Sequence, residues 1–174
     1  LGDSFYFSKI AQQGVKITLI GKPNAGKSSL YNALLGKDRS IVSSASGTTR
    51  DVIESELQVN KYKIVLTDTA GYRQADDSVE KIGIQKTVDE IENADIILLL
   101  AEKENDFDCF KKLCENKIVI KILTKSDLHS HPHKSLCVSI KKDEEINGLL
   151  TLISTEIKNI TKDKKVENHY LINS

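Results

Sequence analysis

The chain has 174 residues, and its 25 Lys and Arg balance 25 Asp and Glu, so the formal net charge is zero. This length suits one domain with a substantial core, and the charge balance excludes a general attraction to DNA or to anionic membranes. No apolar run is long enough to cross a bilayer. The three cysteines lack C-x-x-C spacing, which argues against a disulfide scaffold or zinc site and favours a reducing, cytoplasmic setting.

The first motif is Gly21–Ser28, which has the pattern G-x-x-x-x-G-K-S and follows the apolar run Val15–Ile20. Between a strand and a helix, this pattern is typical of a phosphate-binding loop whose N–H groups surround the anion. Lys27 is expected to reach the β- and γ-phosphates, and Ser28 to offer its hydroxyl to Mg²⁺. The alternative is a glycine turn with a surface lysine. The predicted nucleotide contacts here are Asn24, Ala25, Gly26, Lys27, Ser28 and Ser29.

The stretch Asp38–Asp51 is polar and rich in Ser and Thr, with no periodic apolar face. It predicts a mobile loop, and a threonine in such a loop can close over a nucleotide and ligate Mg²⁺. Thr49 is the candidate, and the alternative is an ordinary connection. The predicted nucleotide contacts in this loop are Ser43, Ser44, Ala45, Ser46, Gly47, Thr48 and Thr49.

Two strand-like runs, Ile53–Val59 and Tyr62–Thr67, predict a hairpin that leads into a second motif, D-T-A-G. An aspartate at a strand end can hold Mg²⁺ through water, and the glycine N–H can sense the γ-phosphate. These residues are Asp68, Thr69, Ala70 and Gly71. A helix predicted by Ile84, Val88 and Ile91 starts near Glu80, which by itself suggests only a complement to the helix dipole.

A third motif, Thr124-Lys125-Ser126-Asp127, follows the predicted strand Ile118–Leu123. Asp127 can accept two hydrogen bonds from the N1–H and N2–H₂ groups of guanine, which adenine does not offer, while the Lys125 stem lies across the base. A last strand, Leu136–Ile140, is predicted to bring Ser139, Ile140 and Lys141 to the other side of the base. The pattern therefore indicates a site for guanine nucleotide.

The remaining periodicity alternates between strands and helices. Leu30, Ala33 and Leu34 predict a helix that Gly36 ends in the left-handed conformation. The other predicted elements are a strand at Ile96–Leu100, a short helix presenting Phe107, Phe110 and Leu113 on one face with Cys109 and Cys114 as packing groups, a helix from Ile146 to Ile160, and a charged linker at Thr161–Lys165. The alternation predicts an α/β fold, with a doubly wound, mostly parallel sheet, helices on both faces and the ligand at the carboxyl ends of the strands.

At this point the chain resembles the G domain of the MnmE (TrmE) family of tRNA-modifying GTPases, which implies a P-loop GTPase of the Ras-like kind. The residues that carry the resemblance are G-K-P-N-A-G-K-S-S-L-Y-N-A-L-L-G, S-G-T-T-R-D, D-T-A-G-Y-R and V-E-K-I-G-I. The Der (EngA) family of ribosome-assembly GTPases shares several of these motifs. Ala25 and the V-E-K-I-G-I stretch favour MnmE. Thr124 and Ile140 depart from the asparagine and alanine usual in the family.

The resemblance implies a catalytic arrangement that the residues alone do not give. Tyr72 stands where small GTPases have a glutamine, and the family assigns the positioning of water to Glu80 through a bridging water. A K⁺ ion would supply the missing positive charge when two G domains dimerise. Lys27, Thr49 and Gly71 complete the implied catalytic set. The implied K⁺ ligands are Asn24, Ser43, Ala45 and Thr48, and the implied Mg²⁺ ligands are Ser28, Thr49 and Asp68.

The resemblance also implies a domain inserted in a longer protein that modifies the wobble uridine of tRNA together with the flavoprotein MnmG. We expect residues 15–160 to form the GTP-binding domain, with 1–14 and 161–174 as stumps of a helical host domain. GTP is then the substrate and GDP the product, with Mg²⁺ and K⁺ as cofactors. The alternatives are a Der-like ribosome-assembly GTPase and a GTP-gated interaction module with little turnover of its own.

Overall fold

The structure, a computed structural model, describes residues 9–10, 12–36, 53–68, 80–127 and 136–172, with the backbone alone for 53, 80–86 and 163–172. The strands are β1 (Val15–Gly21), β2 (Ile53–Val59), β3 (Tyr62–Asp68), β4 (Ile96–Ala101), β5 (Ile118–Thr124) and β6 (Leu136–Val138). The helices are α1 (Lys27–Leu35), α2 (Glu80–Asn93), a 3₁₀ helix (Glu104–Phe110) and α3 (Asp143–Ile172). None of the described helices is long and apolar enough to span a membrane.

The strands form one six-stranded sheet in the order β2-β3-β1-β4-β5-β6. All neighbouring strands are parallel except β2, which pairs antiparallel with β3 across the turn at Asn60 and Lys61. Asn60 takes a positive φ of 55°, a conformation that asparagine tolerates in turns. The predicted doubly wound, mostly parallel sheet and its hairpin are confirmed.

Side chains from alternate positions of the central strands fill two cores, one on each face of the sheet. In β4, Ile96, Leu98 and Leu100 point to the face covered by α1 and α3, whereas Ile97 and Leu99 point to the face covered by α2 and the 3₁₀ helix. All six residues of β4 are buried, which explains its continuous apolar sequence. The central strands are therefore fixed from both sides.

One predicted cap conformation and two predicted boundaries are wrong. Gly36 ends α1 as predicted, but its φ is −75°, in the right-handed region, and its N–H donates to the Asn32 carbonyl (2.8 Å) as in the helix. The last strand ends at Val138, since Ser139 already begins a turn in which its carbonyl accepts from Lys142 N–H (3.1 Å). The stretch Thr161–Lys165 is helical, not a linker, because α3 continues to Ile172 through residues that contain neither Gly nor Pro.

The predicted face of the short helix is only partly correct. Phe107 is buried, but Leu113 is 44% exposed, because the 3₁₀ helix ends at Phe110 and Leu113 lies in the turn segment that follows it. Cys114 is a buried packing group as predicted, whereas Cys109 is exposed and packs into neither core.

The parallel register brings the carboxyl ends of the central strands to one edge of the sheet. Leu19 of β1 pairs with Asp68, and Gly21 pairs with Leu100 of β4. On the other side, Ala101 pairs with Leu123, and Thr124 pairs with Val138. The phosphate loop, Asp68 and the Thr124–Asp127 motif therefore meet at this edge, as expected for a doubly wound sheet.

Candidate nucleotide site

The phosphate loop between β1 and α1 depends on close backbone approach. A Cβ placed on Gly21 would lie 2.3 Å from the Leu100 carbonyl oxygen, so only glycine fits beside β4. Gly26 has φ +87° and directly precedes α1, where a left-handed residue turns the chain into the helix. Asn24 also has a positive φ, 64°. These conformations produce the sharp loop that the G-x-x-x-x-G-K-S pattern predicts.

Lys27 is held inside this loop. Its side chain is in the first turn of α1, the residue is only 8% exposed, and its Nζ donates to the carbonyl oxygens of Gly21 (2.7 Å) and Lys22 (2.8 Å). An ammonium group buried this deeply requires such partners. The chain thus places a positive charge at the centre of the loop, where a phosphate would be bound.

The start of α1 is suited to an anion. The first turn has no acidic residue, and Gly26 offers no side chain to cap the helix N–H groups. By contrast, the first turn of α3 carries Asp143, Glu144 and Glu145. Because the N-terminus of a helix has a partial positive charge and free N–H groups, an anion bound there is stabilised. Ser28 and Ser29 are exposed in the first turn of α1.

Thr124 connects the phosphate loop to the guanine motif. Its buried hydroxyl lies 3.0 Å from the Ala25 carbonyl and 3.2 Å from the Ala101 carbonyl, and it can donate to either. Ala25 is itself buried, and Gly26 faces the Thr124 side chain. The threonine that departs from the family asparagine therefore still ties the two halves of the site together.

Asp127 has both carboxylate oxygens engaged by the neighbouring Ser139–Lys141 segment. Ser139 Oγ donates to Oδ1 (3.1 Å), and Lys141 Nζ donates to Oδ2 (2.7 Å). The hydrogen bond from Lys141 is the main reason that the pKa of Asp127 lies below its ordinary value. The carboxylate is therefore ionised and able to accept hydrogen bonds from a base, provided that Lys141 yields its place.

Two glutamates that sequence reasoning missed support the guanine motif. Glu102, just after β4, forms an ion pair with Lys125, whose φ is +60°. Glu102 comes near Lys125 only because β4 pairs with β5.

Glu145 in α3 accepts from Ser126 Oγ (2.9 Å) and from the Ser139 N–H (2.6 Å). Burial alone would raise the pKa of Glu145, but the hydrogen bonds from Lys142, Ser139 and Ser126 outweigh it and lower the pKa. An acidic residue in a helical first turn is common, so the sequence carried no signal of the Glu145 contacts.

A cavity of about 180 Å³ joins the parts of the site. Its lining residues are Gly26, Ser29, Leu30, Thr124, Lys125, Asp127, Val138, Ile140 and Lys141. Whole-ligand sites usually measure roughly 300–1,000 Å³, so this volume suits one part of a nucleotide, the base. Ile140 is 47% exposed and lines part of the wall of this cavity. Its side chain gives the wall a larger apolar surface than the alanine usual at this position.

Asp68 lies at the end of β3, next to β1, and is only 4% exposed. Tyr31 of α1 is close enough for the Asp68 charge to affect it, and its hydroxyl donates to Ser55 Oγ (2.8 Å) in β2. Burial is the main reason that the pKa of Tyr31 is raised. A buried carboxylate beside the phosphate loop is the hard oxygen donor that Mg²⁺ prefers.

Other predicted site residues lie outside the described part of the chain. These are Ser43, Ser44, Ala45, Ser46, Gly47, Thr48, Thr49, Thr69, Ala70 and Gly71. Glu80 begins α2 as predicted, and its backbone alone is described. The described residues contain no group of three or more His, Cys, Asp and Glu side chains able to hold a metal ion.

Comparison with protein families gives a direct match to this arrangement. Residues 16–126 match the family described as 50S ribosome-binding GTPase. The chain belongs to this GTPase family. The match covers the phosphate loop, the D-T-A-G motif and the guanine motif up to Ser126, and it identifies the chain as a GTP-hydrolysing domain.

Curated relatives confirm the predicted resemblance to MnmE. The tRNA modification GTPase MnmE of Mycoplasma mobile is 40% identical over 171 residues, which are 96% of this chain and 38% of that protein. The MnmE of Sulfurovum sp. is 43% identical over 133 residues, 72% of this chain and 30% of that protein. The matched part of the chain thus spans about a third of the length of these relatives, 38% of one and 30% of the other.

The fold is similar to that of a solved GTPase domain. The FeoB G-domain from Methanococcus jannaschii superposes with a TM-score of 0.60 at 24% identity, over 83% of this chain and 98% of that one. At this identity the likeness shows the fold alone, and that fold is the predicted P-loop GTPase architecture.

Proposed function

We propose that the chain is the GTPase domain of a tRNA-modifying enzyme, which binds GTP in the described cleft and hydrolyses it to GDP and phosphate. The observation that carries this proposal is the meeting of Lys27, Asp68 and the Thr124–Asp127 motif at one edge of the sheet. The proposed role in tRNA modification is supported by the names of the relatives. The wobble uridine as its target and the flavoprotein MnmG as its partner are what the MnmE resemblance implies.

Lys27 and the N-terminal N–H groups of α1 bind the β- and γ-phosphates in this proposal. The loop carbonyls that hold Lys27 in the described structure release it toward the phosphates, so little rearrangement is needed. Asp127 reads guanine, with Lys125 alongside the base and the Ser139–Lys141 segment opposite. Guanine offers two donors to Asp127, whereas adenine leaves the carboxylate acceptors unmatched, which gives the site its selectivity.

Mg²⁺ is proposed to be held by Ser28, Thr49 and Asp68. Ser28 is exposed in the first turn of α1, and Asp68 is a buried carboxylate at the adjacent strand end, so both available donors suit a hard cation. When bound, the ion neutralises charge on the β- and γ-phosphate oxygens. Thr49 and Gly71 complete the contact with the γ-phosphate.

Glu80, acting through a bridging water, is proposed to orient the attacking water, and K⁺ to stabilise the charge that develops in the transition state. Asn24 supports the K⁺ site, because its amide lies in the phosphate loop on an exposed, positive-φ residue. Ser43, Ala45 and Thr48 are the other proposed ligands, brought into place when two domains dimerise across the nucleotide. The roles of Glu80, K⁺ and the dimer follow from the MnmE resemblance. We also propose a cytoplasmic setting for the protein.

The test is phosphate release from GTP and ATP in K⁺ and in Na⁺ buffer, with the Glu80→Ala variant alongside. We expect GTP-selective hydrolysis, faster in K⁺, dimer formation with GDP and aluminium fluoride, and a large loss of rate in Glu80→Ala with near-normal GTP binding. Equal rates in the two buffers and an active Glu80→Ala variant would reject the catalytic mechanism. GTP selectivity would then remain as the surviving part of the proposal.

A second candidate is a ribosome-associated GTPase, which the description of the matching family favours. Co-sedimentation of the GTP-bound chain with ribosomal subunits distinguishes the two. We expect the chain to remain in the supernatant, whereas GTP-dependent pelleting would favour the ribosomal role.

A further inference from the structure

Glu145 makes three contacts that join separate parts of the base-recognition region. Its Oε2 accepts from Ser126 Oγ (2.9 Å) and from the Ser139 N–H (2.6 Å), and its Oε1 accepts from Lys142 Nζ (2.9 Å). Ser126 directly precedes Asp127, whereas Ser139 belongs to the later segment whose Ile140 and Lys141 line the base cavity. One carboxylate thus connects the two segments that approach the base.

The contacts of Glu145 differ from those of an ordinary helix cap. In a capping box, a glutamate at the third helical position would reach back to the N–H of the residue before the helix. That residue is Lys142, since α3 begins at Asp143. Glu145 instead accepts the N–H of Ser139, three residues further upstream. Its neighbours Asp143 and Glu144 already complement the helix dipole.

Ser139 transmits this contact to the base-reading carboxylate. The residue is 1% exposed, its backbone N–H is fixed by Glu145, and its hydroxyl donates to Asp127 Oδ1 (3.1 Å). Asp127 is therefore oriented by the hydroxyl of Ser139 and by its chain neighbour Ser126. Glu145 accepts a hydrogen bond from each of these two serines. Hydrogen bonds to an ionised carboxylate are roughly twice as strong as neutral ones, which makes the connection rigid.

We propose that Glu145 is a positioning residue for guanine recognition, which holds Ser126 and Ser139 so that Asp127 presents both oxygens to the base. This inference rests on the proposed binding of guanine nucleotide. Glu145 lies outside the cavity lining and acts through its partners. Its loss should reduce the discrimination between bases more than the binding of phosphates.

The experiment compares GDP with IDP, which lacks the 2-amino group of guanine and so loses one hydrogen bond to Asp127. Both dissociation constants are measured by calorimetry on the same preparation, because their ratio does not depend on the fraction of protein that is folded. For the wild-type chain we expect GDP to bind at least about tenfold more tightly than IDP. Failure of the wild type to bind either nucleotide would reject the proposed function itself.

In Glu145→Ala we expect the IDP-to-GDP ratio of dissociation constants to fall by at least about threefold. Glu145→Gln keeps one carbonyl acceptor but loses the charge, so its ratio should lie between the two. The matched control is Glu144→Ala, since Glu144 is exposed in the same first turn and carries the same charge. Its ratio should equal that of the wild type. A wild-type ratio in Glu145→Ala, or an equal fall in Glu144→Ala, would overturn the proposal.

Discussion

At the phosphate end of the site the contacts come from backbone groups and one buried lysine, whereas at the base end they come from partly exposed side chains. Lys27 is 8% exposed and bonded to carbonyl oxygens of its own loop. The Lys141 side chain, which pairs with Asp127, is 71% exposed. The phosphate end is fixed by the backbone geometry of the loop. The base end depends on hydrogen bonds and ion pairs between side chains from separate segments.

This difference indicates where each end tolerates change. At the phosphate end, a Cβ on Gly21 collides with a neighbouring strand, so the sequence is narrowly constrained. At the base end, threonine replaces the family asparagine at position 124 and still reaches the Ala25 carbonyl (3.0 Å). Side-chain networks can exchange members if the hydrogen bonds are preserved, whereas a close backbone contact offers no substitute.

The largest expected effect is at Lys27. Lys27→Ala removes the charge that would face the β- and γ-phosphates, and we expect GTP turnover to fall by at least about 1,000-fold. Phosphate release measures this, with circular dichroism to establish that the variant is folded. Lys22→Ala is the matched control in the same loop, because the Lys22 ammonium pairs with Asp106 instead. Its turnover should stay within about fivefold of wild type, and an active Lys27→Ala variant would end the phosphate-loop interpretation.

The next effect concerns stability at the same end. Gly21→Ala places a Cβ 2.3 Å from the Leu100 carbonyl, which should lower the free energy of unfolding by about 2–4 kcal/mol. Gly148→Ala is the control, since nothing lies within 4 Å of its added Cβ in α3. That change should raise the free energy of unfolding by about 0.5–1 kcal/mol. Urea denaturation measures both, and equal effects would show that the close approach at Gly21 is not limiting.

A smaller effect is expected at the junction of the two ends. Thr124→Val removes the hydroxyl that bonds the Ala25 carbonyl, and should lower the free energy of unfolding by about 1–3 kcal/mol. Thr18→Val is the control, because the Thr18 hydroxyl is fully buried with no partner among the described residues. Its removal should leave the stability unchanged or raise it. Similar losses in both variants would show that the Thr124 bond adds nothing specific.

The sequence predicts the phosphate end better than the base end for a physical reason. Gly26 is required by its positive φ, and Lys27 bonds carbonyls only six and five positions away, so these contacts are visible in the spacing of the motif. The contacts of Glu145 with Ser126 and Ser139 span 19 and 6 positions and depend on how α3 meets the sheet. The sequence also predicts a linker after Ile160, where α3 in fact continues to Ile172. The charged residues there are typical of a linker, but they also have good helix propensity.

The most direct test of the account is a change of base preference at Asp127. Asp127→Asn replaces the acceptor pair with an amide, whose N–H₂ matches the 2-carbonyl of xanthine and opposes the 2-amino group of guanine. Phosphate release from GTP and from xanthosine triphosphate is measured for the wild type and the variant at equal concentrations. We expect the wild type to prefer GTP and the variant to prefer xanthosine triphosphate, each by about tenfold or more. An unchanged preference for GTP in Asp127→Asn would contradict the assignment of this end of the cleft to the base.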